Sequence, residues 1–406
     1  MRKILLIVFD GLGDSPIPQL RNKTPLEAAK TPNLDFLAKK GMCGLIKPWV
    51  KKGKLPTSED CHFALFGYPP LISNPGRGVL EVLGIGERIS RDDVCFRGNF
   101  ATIDSNYVIV DRRAQRIENT EPLILELNKI KLKGARVIVK KAFGHRVGII
   151  LRGKGVSEKV TSNDPKRTGV KVLKILPKIR EAKKTCELLK EFLEKAKYIL
   201  ENHPLNKKRK KQGKLPANYL LLRGAGKWRK IKSFKEKYGL KAGFIAGGTL
   251  YKGIAKYLGM EEIKVKGATG LPTTNLKGKF EKAVKSLKHF DFIFLHVKAT
   301  DNLAEDGNFL GKKRFIEKID KNLKVILNLE GSLIVITGDH STCSNLKRHC
   351  LNPNPILVFG PKITGDSTKK FSEKECQKGS LKTIKQLKVM EKIFSLANLK
   401  SSKKFF

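Results

Sequence analysis

The chain has only seven histidines, and two of them, His340 and His349, stand nine residues apart behind an acid, in Gly338-Asp339-His340-Ser341-Thr342 … His349. Asp301 and Glu305 stand four apart, a spacing that places both carboxylates on one face of a helical turn. Asp10 follows an apolar run near the start of the chain. This mixed set of carboxylates and imidazoles is large enough to hold two divalent cations. Two such cations about 3.5–4 Å apart suit a phosphate ester, because they neutralise the phosphoryl group and hold the attacking and leaving oxygens in line. A serine hydroxyl in such a site loses its proton readily and becomes a nucleophile without a histidine base. Ser58, in Pro56-Thr57-Ser58-Glu59-Asp60-Cys61-His62, is the candidate. It precedes the apolar stretch Phe63 to Phe66 and is placed to start a helix, whose terminal N–H groups favour an anion. Singly, each of these residues has an ordinary reading: Asp10 as a turn, Ser58 as a helix cap, Asp301 and Glu305 as a solvated pair. Their recurrence at strand ends is what favours a metal site.

Those strand ends follow from the pattern of apolar runs. Ile4 to Phe9, Phe292 to Val297 and Leu333 to Thr337 are continuous and rich in Val, Ile, Leu and Phe, as expected of strands buried on both faces of a parallel sheet. They lead into Asp10, into Thr300-Asp301, and into Gly338-Asp339-His340. Amphipathic helices are expected near Phe280 to Lys288 and Arg314 to Leu329, before the second and third runs, and from Pro32, capped by Thr31, to Gly41. Strands alternating with helices give an α/β fold, a mostly parallel sheet flanked by helices, in which ligands bind at the carboxyl ends of the strands. The middle differs. Val94 to Arg116 reads as short strands broken by a turn at Asp104-Ser105-Asn106, Ala135 to Lys141 and Arg146 to Arg152 as a strand pair, and Leu173 to Leu200 as one long helix. An inserted α+β domain is therefore expected over residues 90–215, within a discontinuous core of residues 1–89 and 216–406. The core pattern is expected to return with strands at Tyr219 to Leu222 and Gly243 to Ile245 and a helix near Leu250 to Tyr257. The tail, Lys400 to Phe406, is expected to fray.

Composition narrows the class. The 406 residues suit two or three domains, or one large domain with an insertion. Lys and Arg number 83 against 38 acids, a net charge of +45. Such a charge raises the question of nucleic acid. The basic residues, however, are spread along the whole chain. The one dense run, Lys207 to Lys211, contains no aromatic, and aromatics reach only 7%, so no base-stacking platform is present. A solvated basic surface is the expectation, not a nucleic-acid partner. No apolar run approaches the roughly 18 residues that cross a bilayer, and no membrane partner is expected. The opening Met1-Arg2-Lys3 and six apolar residues lack a cleavage site and are read as a strand, which places the protein in the cytoplasm. Seven cysteines at irregular spacings, with no CxxC, are read as reduced thiols and not as a disulfide framework.

Several stretches resemble the alkaline phosphatase superfamily and, within it, the archaeal-type 2,3-bisphosphoglycerate-independent phosphoglycerate mutases. They are Phe9-Asp10-Gly11-Leu12-Gly13-Asp14, Thr24-Pro25-Leu26-Glu27, Thr31-Pro32-Asn33-Leu34-Asp35, Phe66-Gly67-Tyr68, Gly76-Arg77-Gly78, Phe100-Ala101-Thr102, Asp111-Arg112-Arg113-Ala114, Gly144-His145-Arg146, Asn163-Asp164-Pro165, Asn218 to Gly226, Gly267-Ala268-Thr269-Gly270 and Gly338-Asp339-His340-Ser341-Thr342. The resemblance implies an alkaline-phosphatase-like core with two divalent metals, usually Mn²⁺, with Mg²⁺, Co²⁺ or Zn²⁺ as alternatives and no 2,3-bisphosphoglycerate. It also implies an inserted domain that binds a small phosphorylated substrate. One metal would be held by Asp10, Ser58, Asp339 and His340, the other by Asp301, His349 and the residue at 305, with Ser58 the nucleophile that becomes phosphoserine. Asp111, Arg112, Arg116, Arg223 and Lys252 would bind substrate. The implied reaction is the interconversion of 2- and 3-phosphoglycerate. A related phosphatase or phosphotransferase, or a basic binding protein with an impaired site, are the other readings, and a homo-oligomer is compatible with all of them. The chain departs from the family in carrying Glu305 where the family has histidine, an oxygen ligand that suits Mn²⁺ or Mg²⁺ better than zinc. It also departs around the serine, in Thr57-Ser58-Glu59-Asp60.

Overall fold

The computed structural model describes residues 3–398, so the expectations for Met1-Arg2 and for the tail from Lys400 lie outside the described residues. The chain forms two compact units: one made of the segments up to Asn74 and from Ile231, the other running from Pro75 to Lys230. The second unit is wider than the expected 90–215 because the helix Arg77–Ile85 and the strand Tyr219–Lys227 pack within it.

The first unit is built on an eight-stranded sheet in the order Glu261–Glu262, Ala242–Ile245, Phe292–Val297, Lys3–Phe9, Ser332–Thr337, Asn354–Phe359, Met42–Lys47, Lys382–Lys385. Only Asn354–Phe359 runs against its neighbours. The three predicted apolar runs are adjacent central strands: Leu6 pairs with Phe294 on one side and Val335 on the other, in parallel register. Leu5, Ile7 and Phe9 pack with Phe280, Ile316 and Ile319 from the covering helices in one buried cluster, which is why these runs carry no polar alternation. Because the three strands are parallel and in register, their carboxyl ends open along one edge of the sheet.

The second unit is antiparallel. Val94–Ile103 pairs with Arg146–Arg152, with Ile109–Asp111 and with Tyr219–Lys227, and Ala135–Lys141 continues the sheet beyond Arg146–Arg152. Two expectations are corrected here. Tyr219 to Leu222 does not rejoin the core's parallel sheet. It pairs antiparallel with Val94–Ile103, because a fully buried apolar run reads alike in either sheet. The long helix spans Lys183–Asn202 and does not begin at Leu173: Pro177 keeps the preceding segment extended in a bridge to Val160. The basic run lies on the helix Pro204–Lys211, where Arg209 turns inward to donate to Leu215 O and Ala114 O while the lysines stay exposed.

Candidate metal and phosphoryl-transfer site

Asp10 leaves the first strand fully buried. The chain turns at Gly11, whose φ of 62° lies in the left-handed region. A Cβ there would come within 2.5 Å of Thr342 Oγ1 and 2.8 Å of Asp301 Cβ, so only glycine lets the first loop lie against the other two strand ends. Gly11 N donates to Asp339 Oδ1 at 3.1 Å. The wholly buried Lys312 ammonium donates to Gly13 O, Asp14 Oδ2 and Thr342 O, and so ties that loop to the segment after the Ser332–Thr337 strand.

Ser58 is the first residue of the helix Ser58–Leu65, and the cap is its neighbour Thr57, whose hydroxyl accepts from Asp60 N. The Ser58 hydroxyl is therefore not used in capping. It lies 3.2 Å from His340 Nε2. That nitrogen is also 3.5 Å from Asp10 Oδ1 and 3.4 Å from Asp339 Oδ2.

Two groups of side chains offer metal-ligating atoms that lie within 4.8 Å of one another: Asp10, Asp339 and His340, and Asp301, His340 and His349. His340 belongs to both. The imidazoles of His340 and His349 stack with centroids 3.8 Å apart. His349 Nδ1 donates to Pro56 O at 2.9 Å, and Nε2 faces Asp301 Oδ1 at 3.5 Å, so that loss of the Nε2 proton would free a lone pair for a metal. Two buried carboxylate oxygens, Asp10 Oδ1 and Asp339 Oδ2, have no hydrogen-bond partner among the described residues. Buried acceptors are left this way at a cost that a cation would remove. The donor set of carboxylate oxygens, imidazoles and a hydroxyl therefore fits divalent cations.

The electrostatics agree. Burial works against the Asp10 charge, but Lys298, His296 and His340 outweigh it and hold its carboxyl well below the usual range. Asp301 is likewise lowered against its burial, chiefly by Lys298. Desolvation keeps His340 below the ordinary histidine value, which favours the neutral form a ligand needs.

Glu305 stands at the rim. Its half-exposed side chain has Oε1 3.8 Å from His349 Nε2, and it joins neither three-residue group. Burial, and then the Asp301 charge, raise its pKa. Lys252 lies in the same unit on the helix Thr249–Tyr257 and is paired with Glu262 Oε1 at 2.8 Å.

The remaining predicted residues lie in the second unit. Arg112 forks onto Asp164 at 3.1 and 2.7 Å, and Arg223 Nη1 lies 3.9 Å from the same carboxylate. Asp111 caps its own turn by accepting from Arg113 N and Gln115 N, and Arg116 is exposed. The buried Arg97 guanidinium sits 3.5 Å from Glu81 Oε1. Its pKa is lowered by burial and by Arg77, with Arg146 and Arg223 also contributing. His145 is pushed down to about 3 by burial and by Arg146, Arg113, Arg97 and Arg116. This unit thus holds a concentrated arginine cluster, suited to an anion with carboxylate and phosphate groups.

Several site residues have no signal in the sequence. Lys298 is one cation among 83. His62 and His296 are fully buried behind the carboxylates, with His62 Nδ1 3.2 Å from Asp339 Oδ2 and His296 Nε2 3.4 Å from Asp10 Oδ2. Thr342, whose hydroxyl donates to Asp301 Oδ1 at 2.6 Å, was read only as part of a strand-end motif. The cysteine expectation is overturned: Cys343 and Cys350 form a disulfide, and the other five cysteines are free. Their spacing matches no redox motif. They meet because Ser341–Cys343 and Arg348–Cys350 fold into a hairpin, in which Thr342 pairs with His349.

Comparison with known proteins places the chain in a family. Residues 2–396 match the family model of the metalloenzyme superfamily. The chain is 42% identical over 401 residues to the 2,3-bisphosphoglycerate-independent phosphoglycerate mutase 1 of Methanocaldococcus jannaschii, covering 97% of each chain. It is 43% identical over 396 residues to the 2,3-bisphosphoglycerate-independent phosphoglycerate mutase of Sulfolobus acidocaldarius, covering 96% of this chain and 95% of that one. Among solved structures, a protein of Pyrococcus horikoshii matches with a TM-score of 0.85 at 36% identity over 100% of this chain and 99% of that one. The cofactor-independent phosphoglycerate mutase of Thermoplasma acidophilum matches with a TM-score of 0.70 at 36% identity over 98% of this chain and 100% of that one. The chain therefore belongs to the metalloenzyme superfamily and, within it, to the family of the archaeal 2,3-bisphosphoglycerate-independent phosphoglycerate mutases.

Proposed function

We propose that this protein interconverts 2-phosphoglycerate and 3-phosphoglycerate through a phosphorylated Ser58, with Asp10, Ser58, Asp339 and His340 holding one divalent cation and Asp301, His349 and Glu305 the other. The observation that carries this reading is the convergence of two potential ligand groups on His340, with the Ser58 hydroxyl 3.2 Å from the shared imidazole. When bound, the cations would supply charge neutralisation at the phosphoryl group and a lowered pKa for the serine hydroxyl. Oxygen-rich donors with Glu305 at the rim favour Mn²⁺.

The protein's own residues would do the rest. Thr57 takes the capping role and leaves Ser58 Oγ available. A bond forms from Ser58 Oγ to phosphorus as the phosphorus–oxygen bond to glycerate breaks, and the proton lost by Ser58 passes to the released glycerate oxygen. Reversal with the other glycerate hydroxyl completes the isomerisation without 2,3-bisphosphoglycerate. The arginines around Asp164 and Glu81, Arg112, Arg223 and Arg97 foremost, are suited to retain the glycerate carboxylate between the two transfers. Asp111 and Arg116 would shape that same region, and Lys252 would assist with phosphate after leaving Glu262. A small phosphorylated substrate suits a cytoplasmic enzyme, and that is the location proposed. No helix among the described residues is long and apolar enough to cross a membrane.

The test is phosphorus NMR of the Mn²⁺-loaded enzyme with 3-phosphoglycerate alone. Growth of the 2-phosphoglycerate signal without added 2,3-bisphosphoglycerate is expected. Accumulation of inorganic phosphate in its place would make the protein a phosphatase and overturn the reading.

A further inference from the structure

Lys298 follows the strand Phe292–Val297 and precedes the helix Ala299–Glu305, which carries Asp301. Its ammonium reaches back into the site and donates to Asp301 Oδ2 at 2.6 Å and Asp10 Oδ2 at 3.3 Å. These two carboxylates belong to different ligand groups. The opposite oxygens face the ligating imidazoles: Asp10 Oδ1 is 3.5 Å from His340 Nε2, and Asp301 Oδ1 is 3.5 Å from His349 Nε2. Each carboxylate is thus divided, one oxygen toward the lysine and the other toward the ligating histidines. The ammonium also lies 5.4 Å from the Tyr251 ring centroid, and the lysine side chain is only 19% exposed.

We propose that Lys298 is a positioning residue of the metal site. It bridges Asp10 and Asp301, fixes which oxygen each presents to a metal, and serves as the resident cation that holds the two acids together when no metal is bound. In its absence the histidines alone face two buried carboxylates that repel across the site, a repulsion that bound metal would relieve. This inference rests on the metal-binding part of the proposed function and is independent of the substrate.

The test compares Lys298→Met and Lys298→Arg with the unmodified protein by thermal melting, with and without Mn²⁺, and by calorimetric titration of Mn²⁺ into metal-free protein. In Lys298→Met the metal-free melting temperature falls, saturating Mn²⁺ restores most of the loss, and the Mn²⁺ dissociation constant tightens by about tenfold, since the metal replaces a missing cation. Lys298→Arg keeps the charge and stays close to the unmodified protein in all three readings. A loss of the same size with and without Mn²⁺ would make Lys298 a structural residue and overturn the proposal. Absence of any Mn²⁺ effect on the unmodified protein would instead remove the metal reading on which it stands.

Discussion

Breaking the Cys343–Cys350 link is expected to loosen the hairpin that presents His349. The bond joins positions seven apart and closes a loop that carries His349 and the Cys343–Arg348 pair, next to the Thr342–His349 pair. The chain-entropy relation for a loop this short gives about 2.5 kcal/mol. Cys350→Ala is the better perturbation, because Cys343 Sγ also accepts from Ser15 Oγ at 2.8 Å and that contact survives. If the strain-free entropy is the whole effect, the hairpin's opening equilibrium rises by about seventyfold, the factor that corresponds to about 2.5 kcal/mol. Hydrogen exchange followed on a peptide spanning residues 341–350 reads this directly, with a peptide from the buried central strand Lys3–Phe9 as the internal control. Faster exchange confined to the hairpin is the expected result for the variant, and the unmodified protein, denatured but not reduced, should show five reactive thiols. Equal exchange in both proteins, or seven reactive thiols, would refute the reasoning.

Gly11→Ala places a Cβ 2.5 Å from Thr342 Oγ1 at a φ of 62°, and is expected to cost more than the ~1–2 kcal/mol of a left-handed non-glycine residue and to weaken Mn²⁺ binding; an unchanged titration would contradict the packing argument. Burial works against the His349 imidazolium, but Asp301 overcomes it and raises the pKa from 6.5 to about 9 in the metal-free protein. The stability this pair contributes is therefore complete below pH 6.5 and lost as pH rises through about 9, whereas Mn²⁺ binding must displace the proton and strengthens over the same window. Calorimetry in buffers of different ionisation enthalpy should show about one proton released in all as the two ions bind near pH 7.5, and a pH-independent affinity would count against it. Glu305→His should leave Mn²⁺ binding intact and shift preference toward softer ions such as Zn²⁺, and an unchanged preference in competition titrations would show that position 305 points away from the metal.

How much of this was legible in the sequence depends on the range of the signal. The strands before Asp10, Asp301 and Asp339 are encoded locally, in unbroken apolar runs that only a sheet covered on both faces explains, and their parallel pairing brought the predicted acids and histidines to one edge. The run Tyr219 to Leu222, expected in the core sheet, lies in the other sheet for the same reason: an apolar run records burial and not the direction of its partner. Lys298, His62 and His296 escaped because their significance lies in contacts with carboxylates far along the chain, and nothing in their neighbourhood distinguishes them. The disulfide escaped because a hairpin, not a spacing motif, sets its geometry.

The central claim is that Ser58 carries the phosphoryl group between the two positions of glycerate. Quenching the Mn²⁺-loaded enzyme early in its reaction with 3-phosphoglycerate, followed by peptide mass analysis, tests it most directly. The account predicts one added phosphoryl group on the peptide containing Ser58, none after metal removal, and none in Ser58→Ala, which should still fold because Thr57 supplies the cap. Formation of 2-phosphoglycerate by Ser58→Ala, or a phosphoryl group found on another residue, would contradict it.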